Sequence, residues 1–190
     1  MERVEVPAIL PGSRPRIGIC GAPVITYTSA LVAILIGIVH AGLTPVITVA
    51  GVYPNLALVA VVLVTAIFGF TQGTIWAFAA GLTANLLVSA PLGSLPFTLL
   101  LVTALVAGGD RVMGRLVWVY PVLAAFGGSL VADTVTVLIG RLVGGAPATG
   151  DALAVMLPAA VLNAVIAALL LPLVRILAAR AGVLEERPAW

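Results

Sequence analysis

The sequence predicts an all-α protein, a polytopic bundle of six transmembrane helices with both termini in the cytoplasm, and three observations lead there. Apolar residues make up 62% of the 190-residue chain and charged residues only 8%, against about 25% charged in an ordinary soluble domain. Apolar windows of about 20 residues, the length that crosses a bilayer as a helix, recur six times. All nine basic residues are arginine, and their positions divide between the two sides as the positive-inside rule requires.

Taken in order, the windows predict helices over about 24–43, 52–70, 73–89, 94–108, 116–142 and 152–180. Pro54 is expected in the first turn of the second helix, where its missing N–H costs little. Pro91 to Gly93 ends the third, and Pro158 and Pro172 interrupt the hydrogen bonding of the sixth. Residues 44–51 are read as a loop, a re-entrant turn or an extension of the neighbouring helices. The organisation expected is a cytoplasmic tail (1–23), one transmembrane domain (24–180) and a second cytoplasmic tail (181–190).

The arginines orient this arrangement. With the N-terminus inside, Arg3, Arg14, Arg16, Arg111, Arg115, Arg175, Arg180 and Arg187 all face the cytoplasm, and Arg141 alone lies outside. An odd number of spans would break that asymmetry. Residues 1–23 carry four prolines and three arginines, so no cleavable signal peptide is expected. Cys20 is the single cysteine, which leaves no partner for an intrachain disulfide or a CxxC pair. The net charge of +2 is too small and too scattered to indicate nucleic acid.

With so few polar side chains, each one inside a span calls for a reason. On the third helix Gly73, Ala77, Gly81, Asn85 and Ser89 recur at every fourth position and form one slowly winding stripe. Small residues at this spacing let another helix backbone approach closely. The stripe is therefore a candidate for helix packing or partner contact, with Asn85 hydrogen-bonded across it. Ala33, Gly37 and Ala41 repeat the device on the first helix. Ser129, Ala132, Asp133, Thr136 and Gly140 repeat it on the fifth, and Ala160, Asn163, Ala164 and Ala167 on the sixth. Asp133 is the one acidic side chain expected deep in the bilayer, where insertion costs about 2.5–3.5 kcal/mol. With Thr136 and Asn163 it forms the expected buried polar hub, and Asn85 is a further candidate partner.

No catalytic set is apparent and no enzyme activity or cofactor is expected. His40, the single histidine, is expected at the interface near the outer end of the first helix. No GxSxG elbow or phosphate-binding loop occurs. Trp76, Trp118 and Tyr120 suit packing or headgroup-level positions.

Three stretches carry a resemblance. "GVYPNLALVAVV" (51–62), "GFTQGTIWAFAAGLTANLLVSAPLG" (69–93) and "LPAAVLNAVIAALLLPLVRIL" (157–177) are similar, in order and spacing, to the rod shape-determining protein MreD family. In that family a glycine and a Pro-Asp open the second helix. A glycine-rich run with an acidic residue fills the third, a "PLG" turn follows, and a proline-bounded sixth helix closes the chain. Pro54, Asn55, Gly81, Asn85, Pro91, Leu92 and Gly93 are the positions carried over. Asn55 and Asn85 stand where the family often has aspartate, so only a role in hydrogen bonding transfers.

The resemblance implies a non-enzymatic scaffold of the bacterial cytoplasmic membrane. Its partners would be MreC, a single-span protein, together with the actin-like MreB filament and the proteins of lateral peptidoglycan synthesis. Membrane lipids would surround it, with no role for nucleic acid. The competing expectation is the substrate-binding membrane subunit of an energy-coupling-factor transporter, which has similar length and a similar small-residue face on its first helix.

Overall fold

The computed structural model describes residues 22–43, 46–48, 51–113, 118–144 and 152–180. The described residues form six α-helices: α1 (Ala22–Leu43), α2 (Leu56–Phe68), α3 (Phe70–Leu87), α4 (Ser94–Met113), α5 (Tyr120–Gly144) and α6 (Ala152–Arg180). Of the two expected tails, all but residues 22 and 23 lie outside the described residues. So do Arg3, Arg14, Arg16, Cys20, Thr44, Arg115 and Arg187, and the side chain of Arg111.

α2 is the middle of the bundle. Its sequence, LALVAVVLVTAIF, has one polar side chain, and ten of its 13 residues are buried. Thr65 meets its own need by donating to the Val61 carbonyl at 2.7 Å. α2 packs against all five other helices, most lightly against α1. It begins four residues later than the expected 52. Pro54 therefore lies outside the helix, and Asn55 is the N-cap. Hydropathy alone misreads this entry, because Val52 and Pro54 are buried although their backbone is not helical.

Gly69 alone separates α2 from α3. It adopts φ 91° and ψ 178°, a region open to glycine and closed to other residues. Its carbonyl at once accepts from Gly73 N–H at 3.1 Å. The third helix therefore starts at Phe70 rather than Gly73, and ends at Leu87. Ser89 is left beyond the helix and exposed, off the stripe on which the spacing placed it. α4 runs past the expected stop at Gly108 to Met113, and at Gly109 the Tyr120 ring lies against it. A Cβ there would stand 2.7 Å from the Tyr120 hydroxyl, which donates to the Val106 carbonyl. α6 has the expected limits and contains both prolines.

Close contacts fix the directions of the helices. Gly73 lies against Thr65, and Gly81 against Pro96 and Leu99, so α3 runs antiparallel to α2 and α4. Ser29 and Gly37 lie against Trp76 and Ala80 respectively, so α1 and α3 run parallel. The Tyr120–Val106 bond and the Asn163–Ser129 bond make α4–α5 and α5–α6 antiparallel pairs. The core is the α2 side chains with Ala77, Leu99, Val102, Val106, Ala125, Ala132, Ala167 and Leu171.

Outside, the bundle is apolar as well. The windows Tyr120–Val143 and Ala154–Arg180 are long and apolar enough to cross a membrane, and only 17% and 22% of each is buried within the protein. Leu35, Phe78, Leu105, Leu138 and Leu169 are each more than half exposed.

The glycine contacts give a paired test. In Gly81→Ala the new methyl would lie 2.7 Å from the Pro96 backbone, so α3 and α4 must separate, at a cost of about 1–3 kcal/mol. Gly127→Ala meets nothing within 4 Å and gains helix propensity of up to about 1 kcal/mol. Thermal denaturation in mild detergent should show a lowered midpoint for the first and an unchanged or raised one for the second.

Candidate functional site

Every helix start leaves backbone N–H groups without intrahelical partners, and α2 starts inside the protein. Two of its donors are met by amide side chains. Asn55 Oδ1 accepts from Leu58 N–H at 3.0 Å, the usual service of an asparagine N-cap. The N–H of Asn55 itself donates to Asn163 Oδ1 on α6 at 2.8 Å. Asn163 then donates from Nδ2 to Ser129 Oγ on α5, also at 2.8 Å, and Asp133 stands beside Ser129 one turn along the same helix. Asn163 and Ser129 are each 1% exposed. One polar chain thus ties α2, α6 and α5 together.

This corrects the expected hub in two respects. Asn163 and Asp133 belong to it, but Asp133 is its end rather than its centre, and one of its oxygens, Oδ2, is buried without a hydrogen-bond partner. Thr136 is not a member. It is exposed, and its hydroxyl donates to the Ala132 carbonyl of its own helix at 2.8 Å, the local bond that threonine commonly makes in a helix. Spacing had found Ser129 on the right face. It had not shown that Asn55 and Asn163 meet, although an asparagine before an unbroken apolar run is an N-cap signal.

Asn85 performs a second task, with nearer partners than expected. Its Nδ2 donates to the carbonyls of Ala90 (3.4 Å) and Pro91 (3.2 Å), and its Oδ1 accepts from Gly93 N–H at 2.7 Å. The side chain is 1% exposed. It folds the 88–93 turn back onto the end of α3 instead of bonding to Asp133 or across a helix interface. Gly93 enters that turn at φ 87°, while Leu92 at its tip is 81% exposed. The remaining stripe, Gly73, Ala77 and Gly81, is buried as expected, against α2 and α4 of the same chain. On α1, Ala33 and Gly37 are buried, and Gly37 lies where a Cβ would stand 2.6 Å from the Ala80 carbonyl oxygen.

Where α1, α3, α4 and α5 converge around Asn55 there is a small cleft. It is lined by His40, Asn55, Ala84, Thr98, Ala132 and Thr136 among others, and holds about 10 Å³ of water-accessible space, room for about one water molecule. His40, near the end of α1, is 8% exposed and packs into this cleft. At the opposite end Arg175 lies over the Trp118 ring at 4.1 Å, and Trp76 Nε1 donates to Ser29 Oγ at 2.6 Å. Thr65, Thr74, Thr83, Thr98, Thr103 and Thr134 each bond to the carbonyl four residues back. The polar groups thus hold helices and turns to one another. Among the described residues no group of three or more His, Cys, Asp or Glu side chains gathers.

Both joints can be tested separately. Asn163→Leu orphans the Asn55 N–H, at a cost of about 1–3 kcal/mol. It should lower the denaturation midpoint in detergent and speed hydrogen exchange at the start of α2. Asn85→Leu should leave α2 protected and instead open the 88–93 turn. Limited proteolysis would then cut between α3 and α4 in the variant and spare the parent.

No protein family matches this chain, and no characterised protein or solved structure matches it either.

Proposed function

We propose that this chain is a non-enzymatic scaffold of the bacterial cytoplasmic membrane, of the rod shape-determining MreD type, which holds MreC and helps position lateral peptidoglycan synthesis. The observation that carries the reading is how the polar side chains are used. Asn55, Asn163, Ser129 and Asn85 are bonded to backbone or to one another, and the cleft beside Asn55 holds about 10 Å³. Small-molecule sites run to roughly 300–1,000 Å³, which weighs against a vitamin-binding transporter subunit. What the molecule offers is an outer surface of shaped, apolar helices.

Six spans are supported by the alternation of the helices and by the side chains they expose. In water, α5 and α6 would leave most residues of their apolar windows less than fully buried, at a cost in apolar surface in contact with solvent. In hydrocarbon that exposure costs nothing. α2, at 13 residues, is about 20 Å long, short of the roughly 30 Å hydrocarbon core. The non-helical residues 52–55, of which Val52 and Pro54 are buried, would extend the crossing, which is tolerated at membrane depth only where protein surrounds the backbone. Both ends are assigned to the cytoplasm because eight of nine arginines then lie there, where they also favour anionic lipid headgroups.

Two measurements test this. Alkaline phosphatase fused at either terminus should be inactive, and fused into the 88–93 turn or between α5 and α6 it should be active; the reverse pattern would refute the topology. Purified in mild detergent from its own cells, the chain should retain a single-span protein with a periplasmic domain. Retention of ATPases or of a tightly bound small molecule would instead identify a transporter.

A further inference from the structure

Asn55 has four polar groups, and the protein answers three of them. Its backbone N–H donates to Asn163 Oδ1, its carbonyl accepts from Val59 N–H, and its side-chain Oδ1 accepts from Leu58 N–H. Among the described residues no group accepts from its Nδ2, which carries two N–H donors. Asn55 lines the cleft at the entry to α2, and Thr98 of α4 and Thr136 of α5 line it too. Their hydroxyl hydrogens go to the Ser94 and Ala132 carbonyls, at 2.8 Å each. A threonine oxygen used in this way keeps lone pairs that accept. The cleft therefore joins one unused donor group to two acceptors, and its volume of about 10 Å³ is the space that one water needs.

We propose that this cleft is a hydration site holding one long-lived water molecule, which accepts from Asn55 Nδ2 and donates to the hydroxyl oxygens of Thr98 and Thr136. Water suits the site because it accepts and donates at once, and a buried water makes two to four such bonds. A metal cation would find no carboxylate in the lining, and the Asn55 oxygen is already engaged. An anion would find both threonine hydrogens committed. An organic ligand needs far more room. The small side chains of Ala84 and Ala132 leave the space, and His40 borders it from α1. With the water in place, the polar chain that runs from Ser129 through Asn163 to Asn55 continues to α4. The outer end of the bundle is then tied across α2 on both sides. This site is independent of the scaffold reading and stands or falls without it.

The test uses the full chain in detergent micelles, isotope-labelled at its asparagines, which are Asn55, Asn85 and Asn163. Magnetisation transfer from water to each side-chain amide is recorded in the laboratory and the rotating frame. Opposite signs in the two frames mark a water that is held, and equal signs a fleeting one. Asn55, identified by the signal that Asn55→Asp removes, should show opposite signs. Asn85 and Asn163, whose Nδ2 groups donate to the protein, should show no transfer and serve as controls. Equal signs or no transfer at Asn55 would overturn the site. Ala84→Val fills the cleft from α3 and leaves both threonine hydroxyls in place, so it should abolish the Asn55 transfer. Transfer that persists in that variant arises from a threonine hydroxyl and would also overturn the site. Should Ala84→Val displace the Asn163 signal, a crystallographic map of the parent that resolves bound water decides. Density within about 3.2 Å of Asn55 Nδ2 upholds the site, and its lack overturns it.

Discussion

Asn163 reaches from α6 to the backbone N–H of Asn55 at 2.8 Å, and the arrangement of the bundle depends on that contact. A helix that begins partly buried has donors its own turns cannot meet, and each one left unmet away from water costs about 1–3 kcal/mol. The N-cap side chain meets one, and Asn163 meets another. Asn163 must in turn place its own N–H groups, and Ser129 takes one at 2.8 Å. An amide suits this position because it accepts on one side and donates on the other. A carboxylate would satisfy Asn55 and face Ser129 with nothing to give. The result is that α2, α5 and α6 are fixed in rotation and in height relative to each other.

Once α2 is anchored at its start, close packing does the rest. Gly73 and Gly81 bring α3 against α2 and α4, Gly128 brings α5 against Val62 and Val102, and Gly37 brings α1 against α3. Each is a site where an added methyl group would press on a neighbouring helix, on its backbone at Gly37 and Gly81 and on its side chains at Gly73 and Gly128. That matters where hydrocarbon surrounds a protein, because lipid tails compete on equal terms with leucine for an apolar face and only closer approach favours another helix. The threonines fit the same regime: by bonding back to their own helices they cross the packed faces without asking a neighbour for a partner.

The helix count and the small-residue faces were legible in the sequence because both are periodic. Hydropathy windows find lengths of chain that avoid water, and spacing by four finds which side chains share a face. Neither reports depth or partners. Val52 and Pro54 avoid water as well as any helical residue, so the entry to α2 was read too early. Thr136 and Ser129 share a face of α5, yet one lies at its exposed end and the other beneath Asn163, a difference that only the packing of α6 decides. Burial of Asn85 was evident from its neighbours. That its partners sit five to eight residues ahead depends on how the 88–93 turn folds back. The contacts of Trp118 with Arg175 and of Trp76 with Ser29 join distant segments and leave no local signal.

The geometry at Asn55 and Asn85 separates the two positions by what an acid of the same size could do in each place. At 55 the side chain accepts from Leu58 N–H, which a carboxylate would do equally well. At 85 the amide both donates, to two carbonyls, and accepts, from Gly93 N–H. An ionised acid there could keep only the acceptance and would face two carbonyl oxygens. Position 55 is therefore indifferent to the exchange, whereas position 85 in this chain is committed to the amide. The two sites share a logic all the same. Each places a polar side chain at the end of a helix, one where α2 begins and one where α3 stops, and each uses it on backbone groups that apolar surroundings would leave unmet. What they secure is the shape of the helix ends. On that account the polar residues act by fixing where the apolar faces of the helices stand.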